Sequence, residues 1–153
     1  MKVVLVSDNH GDLSSLSKIL NRHQDADYYL HCGDCELDLN NLKPFAPVKG
    51  NNDYRYDFPE FKVVEIAGHR IFITHGHRYI VLNSLYGLVA KAKELVCDVV
   101  FFGHTHIYYD GEIDGVRLIN PGSTLVNRDS SKPSYAIIEF DGSKIFAKRC
   151  EVD

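Results

Sequence analysis

The chain has 153 residues, of which 44% are hydrophobic, 25% charged and 11% aromatic. A single domain spanning 1–153 is expected, because a chain of this size builds one core and not two, and disordered, collagen-like and coiled-coil classes are excluded. The 17 Lys and Arg against 21 Asp and Glu give a formal charge of −4, which argues against a broad basic face tracking nucleic-acid phosphates.

Lys2 to Ser7 predicts a buried strand, because Val-Val-Leu-Val is continuous and β-branched and runs into a polar turn containing Gly11. Asp12 fits a helix N-cap, with Leu13, Leu16, Ile19 and Leu20 recurring at helical spacing to about Arg22. Asp27 to Cys32 predicts a second strand that ends in Gly33-Asp34. Ala46 to Lys49 predicts a short third one that ends in Gly50-Asn51-Asn52-Asp53. This alternation suggests βαβ units and a largely parallel sheet.

Phe61 to Ile66 and Arg70 to Thr74 read as a hairpin turning at Gly68. A helix is expected from about Val81 to Val96, with Leu82, Leu85, Leu88, Val89, Ala92 and Leu95 as a core stripe. Asp98 to Phe102 predicts a buried strand ending at Gly103-His104-Thr105-His106. Asp114-Gly115 and Asp141-Gly142 then mark turns in a mostly β C-terminal third. Apolar runs such as Val3 to Val6 stop at four residues, short of a bilayer span or a secretory signal, so a cytoplasmic protein with its four cysteines as thiols is expected.

The polar residues at strand ends are Asp8, His10, Asp34, Asn51, His75, His104 and His106, spread over five loops. In an α/β sheet, the loops at the carboxyl ends of the strands converge on one crevice, so a single site is expected. Imidazole with carboxylate and carboxamide oxygens suits borderline-to-hard divalent ions. Seven donors exceed one tetrahedral ion and suit two ions about 3.5 to 4 Å apart that share a carboxylate and clamp a phosphoryl group. Two divalent ions bring +4 against −2 from the two aspartates, which leaves a centre that attracts an anionic ester.

The ordered motifs Asp8-Asn9-His10, Gly33-Asp34, Gly50-Asn51, His75 and Gly103-His104-Thr105-His106, with Asn120-Pro121-Gly122-Ser123 beyond them, resemble those of the calcineurin-like metallophosphoesterases, in particular their small bacterial and archaeal phosphodiesterase branch. The resemblance implies a four-layer αββα sandwich of two mixed sheets, an α/β fold. It implies Asp8, His10 and His106 on one ion, Asn51, His75 and His104 on the other, and Asp34 bridging. It implies attack on a small phosphate ester by a metal-bridging hydroxide, with Mn²⁺ the expected ion and Fe²⁺, Zn²⁺ or Ni²⁺ as alternatives. His104 would also line the substrate oxygens.

One position departs from the family. Many members carry a histidine directly after the ligand asparagine, and here that residue is Asn52. An amide is no general acid, so Asn52 is expected to hydrogen-bond a phosphoryl oxygen, with His77 as the candidate proton donor.

Several residues receive plainer readings. His23 and His69 are taken as surface or packed residues, His31 as packed beside the site, and Asp53 as orienting a loop or an imidazole. The tyrosines Tyr28, Tyr29, Tyr108 and Tyr109 are assigned to sheet packing. Arg55, Arg78 and Arg128 are read as solvated, with binding of a second phosphate or a base as the alternative. Cys32 and Cys35 have CxxC spacing but no second pair to complete a zinc site, so neither redox nor zinc chemistry is assigned to them. The competing function is a non-catalytic binding scaffold of the same fold, as in a retromer subunit, and ligand completeness favours the enzyme. Neither membrane nor extended nucleic-acid binding is expected, and homo-oligomerisation is left open.

Overall fold

A computed structural model describes the whole chain, Met1 to Asp153. The elements in chain order are β1 (Lys2–Val6), α1 (Leu13–Arg22), β2 (Tyr28–His31), α2 (Leu39–Leu42), β3 (Ala46–Pro47), β4 (Phe61–Ile66), β5 (His69–Thr74), a 3₁₀ turn (His77–Tyr79), α3 (Tyr86–Glu94), β6 (Val99–Phe101), β7 (Tyr108–Ile113), β8 (Val116–Pro121), β9 (Ser134–Asp141) and β10 (Lys144–Glu151). The strands form two five-stranded sheets, in the orders β10-β9-β1-β2-β3 and β4-β5-β6-β8-β7. Both are mixed. β1, β2 and β3 pair in parallel in the first sheet, and β5, β6 and β8 in the second, with antiparallel strands outside them.

Val3, Leu5, Leu30, Ile71, Phe101 and Ile138 meet between the sheets. Val4 and Val6, on the other face of β1, pack under Leu16 and Ile19 of α1. Phe72, Val100 and Leu118 do the same under Leu88, Val89 and Ala92 of α3. The layers are therefore helix, sheet, sheet, helix, as the αββα expectation has it. Burial on both faces is why β1 reads as an unbroken apolar run and not as an alternation. Full burial of Leu16 and Ile19 contributes about 1.5–3 kcal/mol each to holding α1 on the sheet.

Asp12 caps α1, its side chain accepting the Ser14 N–H at 3.1 Å. The Ala67-Gly68 and Asp114-Gly115 turns have positive φ at both residues, the geometry that two-residue hairpins require. The third helix differs from expectation, since α3 begins at Tyr86 and not near Val81. Ile80 adopts a left-handed conformation, φ 54°, and Val81 turns in over Gly76, so residues 81–85 form a turn, with Asn83 and Ser84 N–H groups on the Ile80 carbonyl, instead of extending the helix. Leu82 is left exposed. The short helix α2, capped by Asp38, lies in a stretch whose sequence pattern predicted no element. No helix is long and apolar enough to cross a membrane.

Candidate metal centre

Asp8 and His10 follow β1, Asp34 follows β2, Asn51 follows β3, His75 follows β5, and His104 and His106 follow β6. All five are members of the parallel sets, and their carboxyl ends open on one crevice where all seven side chains meet. Asp8, His10 and His106 form one group of donor atoms within 4.8 Å of one another, and Asp34, His75 and His104 form a second. The groups adjoin: His75 Nε2 lies 3.4 Å from Asp34 Oδ2 and 3.8 Å from Asp8 Oδ1. Asp34 Oδ2 is also 3.9 Å from His10 Nε2. Asn51 Oδ1 stands 3.1 Å from His75 Nε2, at the edge of the second group.

Tight backbone turns aim these residues. Asp8, His10, Asp34, His104 and His106 all have positive φ, between 46° and 70°, a conformation uncommon outside glycine and concentrated at functional sites. Backbone bonds between loops hold the turns, among them Asp8 N–H to Gly33 O at 3.0 Å, His10 N–H to Asp34 O at 3.1 Å and Gly103 N–H to His75 O at 3.0 Å. The glycines that precede three of these residues make room. A Cβ on Gly50 would overlap the Asp34 carboxylate, and one on Gly103 would overlap Ser7 and Asp8.

The imidazole tautomers follow from their partners. His75 Nδ1 lies 2.7 Å from the Cys32 carbonyl and His106 Nδ1 lies 3.0 Å from that of Val126. A carbonyl only accepts, so each Nδ1 carries a proton and each Nε2 turns a lone pair into the crevice, the arrangement that fixes metal-ligating histidines. There the lone pairs face oxygen acceptors. His106 Nε2 is 3.2 Å from Asp8 Oδ1, an oxygen that is buried and has no hydrogen-bond partner. Acceptor set against acceptor is repulsive unless a proton or a metal cation lies between, and a cluster of imidazole and carboxylate donors that needs one or the other fits divalent metal.

Both aspartates carry charge. Burial pushes the Asp8 carboxyl up, but His75, His106 and the Ser7 hydroxyl outweigh that and hold it below its ordinary value. Asp34 is likewise held well below the carboxylate range, its burial overcome by His75 and by two N–H donors of Asn52. Burial opposes the charged form of His75, yet Asp8 and Asp34 lift its pKa above the ordinary value.

Asn52 donates its side-chain amide to Asp34 Oδ2 at 3.0 Å and its backbone N–H to Oδ1 at 2.9 Å, so its first role is to hold Asp34. His77 sits in the 3₁₀ turn with its ring 5.4 Å from that of His75 and 6.3 Å from that of His104. Its Nδ1 is buried without a partner. Burial, then His75 and Arg78, keeps its pKa below the ordinary value. Asp53 hydrogen-bonds to backbone and not to an imidazole: its Oδ2 accepts the Asp34 and Gly50 N–H groups and its Oδ1 that of Glu36, each at 2.8 Å. Glu36 was not singled out in the sequence, yet its Oε1 lies 3.5 Å from His10 Nδ1.

Asn120 donates to Gly103 O and Thr105 Oγ1, and Ser123 Oγ donates to Asp8 O, so the Asn-Pro-Gly-Ser motif braces two ligand loops. His31 is buried beside the site: Nδ1 accepts the Gly33 N–H, and Nε2–H faces Asn9 Oδ1 at 2.9 Å. His23 pairs with Tyr135 and His69 with Asp98. The four cysteines are free, and Cys32 and Cys35 fall into different layers of the core. Tyr29, Tyr108 and Tyr109 pack against the sheets, whereas Tyr28 is exposed. Arg78 pairs with Glu60, and Arg128 Nη1 reaches His104 O at 3.4 Å.

The model of the calcineurin-like phosphoesterase superfamily domain matches residues 1–143. The chain belongs to that family. It is 38% identical over 144 residues to the probable metallophosphoesterase YsnB of Bacillus subtilis, covering 92% of this chain and 85% of the relative. It is 33% identical over 145 residues to Phosphodiesterase MJ0936 of Methanocaldococcus jannaschii, covering 80% and 83%. Among solved structures, a conserved uncharacterized protein of Streptococcus pneumoniae, described as a predicted phosphoesterase, superposes with a TM-score of 0.91 at 28% identity over 99% of this chain and 89% of the other. Vps29 from Entamoeba histolytica shares the fold, with a TM-score of 0.80 at 23% identity over 98% of each chain.

Proposed function

We propose that this metallophosphoesterase is a cytoplasmic phosphodiesterase that works with two divalent ions, manganese first among them. The observation that carries the reading is the pairing of imidazole lone pairs with anionic carboxylates in two adjoining groups, a surplus of acceptors that calls for two cations. Asp8, His10 and His106 would hold one ion, Asn51, His75 and His104 the other, and Asp34, within reach of both groups, would be shared.

When bound, such a pair of ions supplies a nucleophile from water at neutral pH and stabilises charge developing on the phosphoryl oxygens. The chain's own residues do the rest. Asn52 keeps Asp34 in place with one amide N–H and has a second N–H for a phosphoryl oxygen. His104 lines the same oxygens. His77, beside His104 with an unpartnered ring nitrogen, is assigned to the leaving oxygen. The name of the Methanocaldococcus relative favours diesters over monoesters. The scaffold reading shares the fold but gives no reason for a complete and preorganised ligand set. Turnover of bis(p-nitrophenyl) phosphate by chelator-stripped protein, titrated with Mn²⁺, tests the proposal. Its absence at full metal loading would return the scaffold reading.

A further inference from the structure

A cleft of about 320 Å³ opens beside the crevice, walled by Leu82, Leu85, Phe102 and Ile107 and bounded by Thr105 and Arg128. It adjoins the ligand loop directly: Thr105 lies between His104 and His106, and Arg128 bonds to the carbonyls of both. Its volume falls in the small-molecule range of roughly 300–1,000 Å³. Leu82 is 61% exposed and Ile107 40%, which leaves apolar surface in water at the mouth of a polar centre, a disposition that marks binding surfaces.

Arg70, Arg78, Arg117 and Arg149 each pair with a carboxylate, but Arg128 does not. It therefore offers an uncompensated cation where the apolar cleft meets the metal-ligand loop. The second cleft near the site, about 310 Å³, also holds an arginine without a carboxylate partner, Arg55, but sets it and Tyr54 and Tyr56 beside the Glu36 carboxylate, which opposes an anionic ligand.

We infer that the apolar cleft is a subsite for an aromatic or otherwise apolar substituent of an anionic phosphodiester, with Arg128 complementing the charge at its phosphate end. This rests on the phosphodiesterase reading and names the substrate class that the same site prefers. A diester of this kind joins a monoanion to a ring, and the cleft joins a cation to an apolar wall in the same order. The occupant is a small ligand and not a protein, because a stable protein interface engages roughly 20–30 residues a side.

The test is the affinity of Mn²⁺-loaded protein for two diester probes, diphenyl phosphate and dimethyl phosphate, measured from initial rates as competitive inhibition of bis(p-nitrophenyl) phosphate turnover. Diphenyl phosphate should bind about tenfold tighter or more, as expected for burying much of one ring. Leu82→Gln and Ile107→Gln, both at exposed positions, should remove most of that preference while leaving dimethyl phosphate affinity unchanged. Equal affinity of the two probes for the unmodified protein, or variants that weaken both alike, would overturn the assignment and leave the metal centre standing. Failure to bind either probe or inorganic phosphate with both ions present would overturn the subsite and the phosphodiesterase reading together. A protein that sediments as a dimer, made monomeric by Leu82→Gln, would give the cleft to a second copy and overturn the proposal.

Discussion

Asp53 accepts the backbone N–H of Asp34 at 2.8 Å, and through that bond the loop after β2 is tied to the loop after β3. The same carboxylate holds Gly50 and Glu36, so one buried side chain sets the positions of Asp34, Asn51 and the glutamate facing His10. Asp53→Ala should cost several kcal/mol, since each hydrogen bond to a charged group contributes about 1.5–3 kcal/mol. Manganese affinity should fall with it, and Asp53→Asn should rescue both in part. Denaturant unfolding with metal titration measures this; an alanine variant with unchanged midpoint and affinity would contradict the role.

Asp34→Asn removes the charge assigned to both ions while keeping the side chain's shape. Turnover should fall at least about 100-fold, the upper end of what even residues outside the ligand set cost. Asp12→Ala, which removes only the cap of α1, should lower stability by about 1 kcal/mol and leave turnover intact. Near-normal turnover by Asp34→Asn with both ions bound would exclude a shared carboxylate.

Asn52 and His77 divide the leaving-group question. General acid catalysis typically contributes about 10²- to 10⁴-fold, and an amide cannot provide it. If His77 serves the leaving oxygen, His77→Ala should steepen the dependence of rate on leaving-group pKa across a diester series, and Asn52→His should add little. The opposite pattern, a flattening by Asn52→His with no effect of His77→Ala, would move the role away from His77.

The candidate ligands were legible as a set because each follows a strand and most follow a glycine or turn residue that the sequence displays: Gly33-Asp34, Gly50-Asn51 and Gly103-His104 each join a candidate ligand to a residue chosen for space. The parallel run β1-β2-β3 was legible in apolar strands that alternate with a helical stretch, and the antiparallel pairs β4-β5, β7-β8 and β9-β10 in the turn residues between them. What the pattern did not disclose depends on contacts between distant loops. Glu36 is a single surface-like acid until β1 places His10 against it. That Asp53 orients a loop was legible, but the three backbone N–H groups through which it does so carry no sequence signal. α3 starts later than its periodicity indicates, because residues 81–85 keep helical spacing while Val81 is drawn onto Gly76, an instance of tertiary packing overriding local periodicity.

Burial pushes the His31 imidazole down from 6.5 to about 3. The unfolded chain therefore takes up this proton near pH 6.5 and the folded chain only near pH 3, so the unfolded state holds one proton more between those values and stability falls as pH drops through the window. In metal-stripped protein, His31→Phe should reduce the slope of unfolding free energy against pH by up to about 1.4 kcal/mol per unit between pH 6 and 4.5. Denaturant unfolding at several pH values checks this, and identical slopes in the two proteins would contradict a neutral buried His31.

The central claim is that two ions, held by seven residues on five loops, make this chain a phosphodiesterase. Stripped of metal with a chelator and titrated with Mn²⁺, the protein should show no turnover of bis(p-nitrophenyl) phosphate without metal. Its rate should rise to a plateau at two bound ions per chain, counted by elemental analysis on the same samples. Full turnover with one ion or none, or no turnover with two ions bound, would contradict the account.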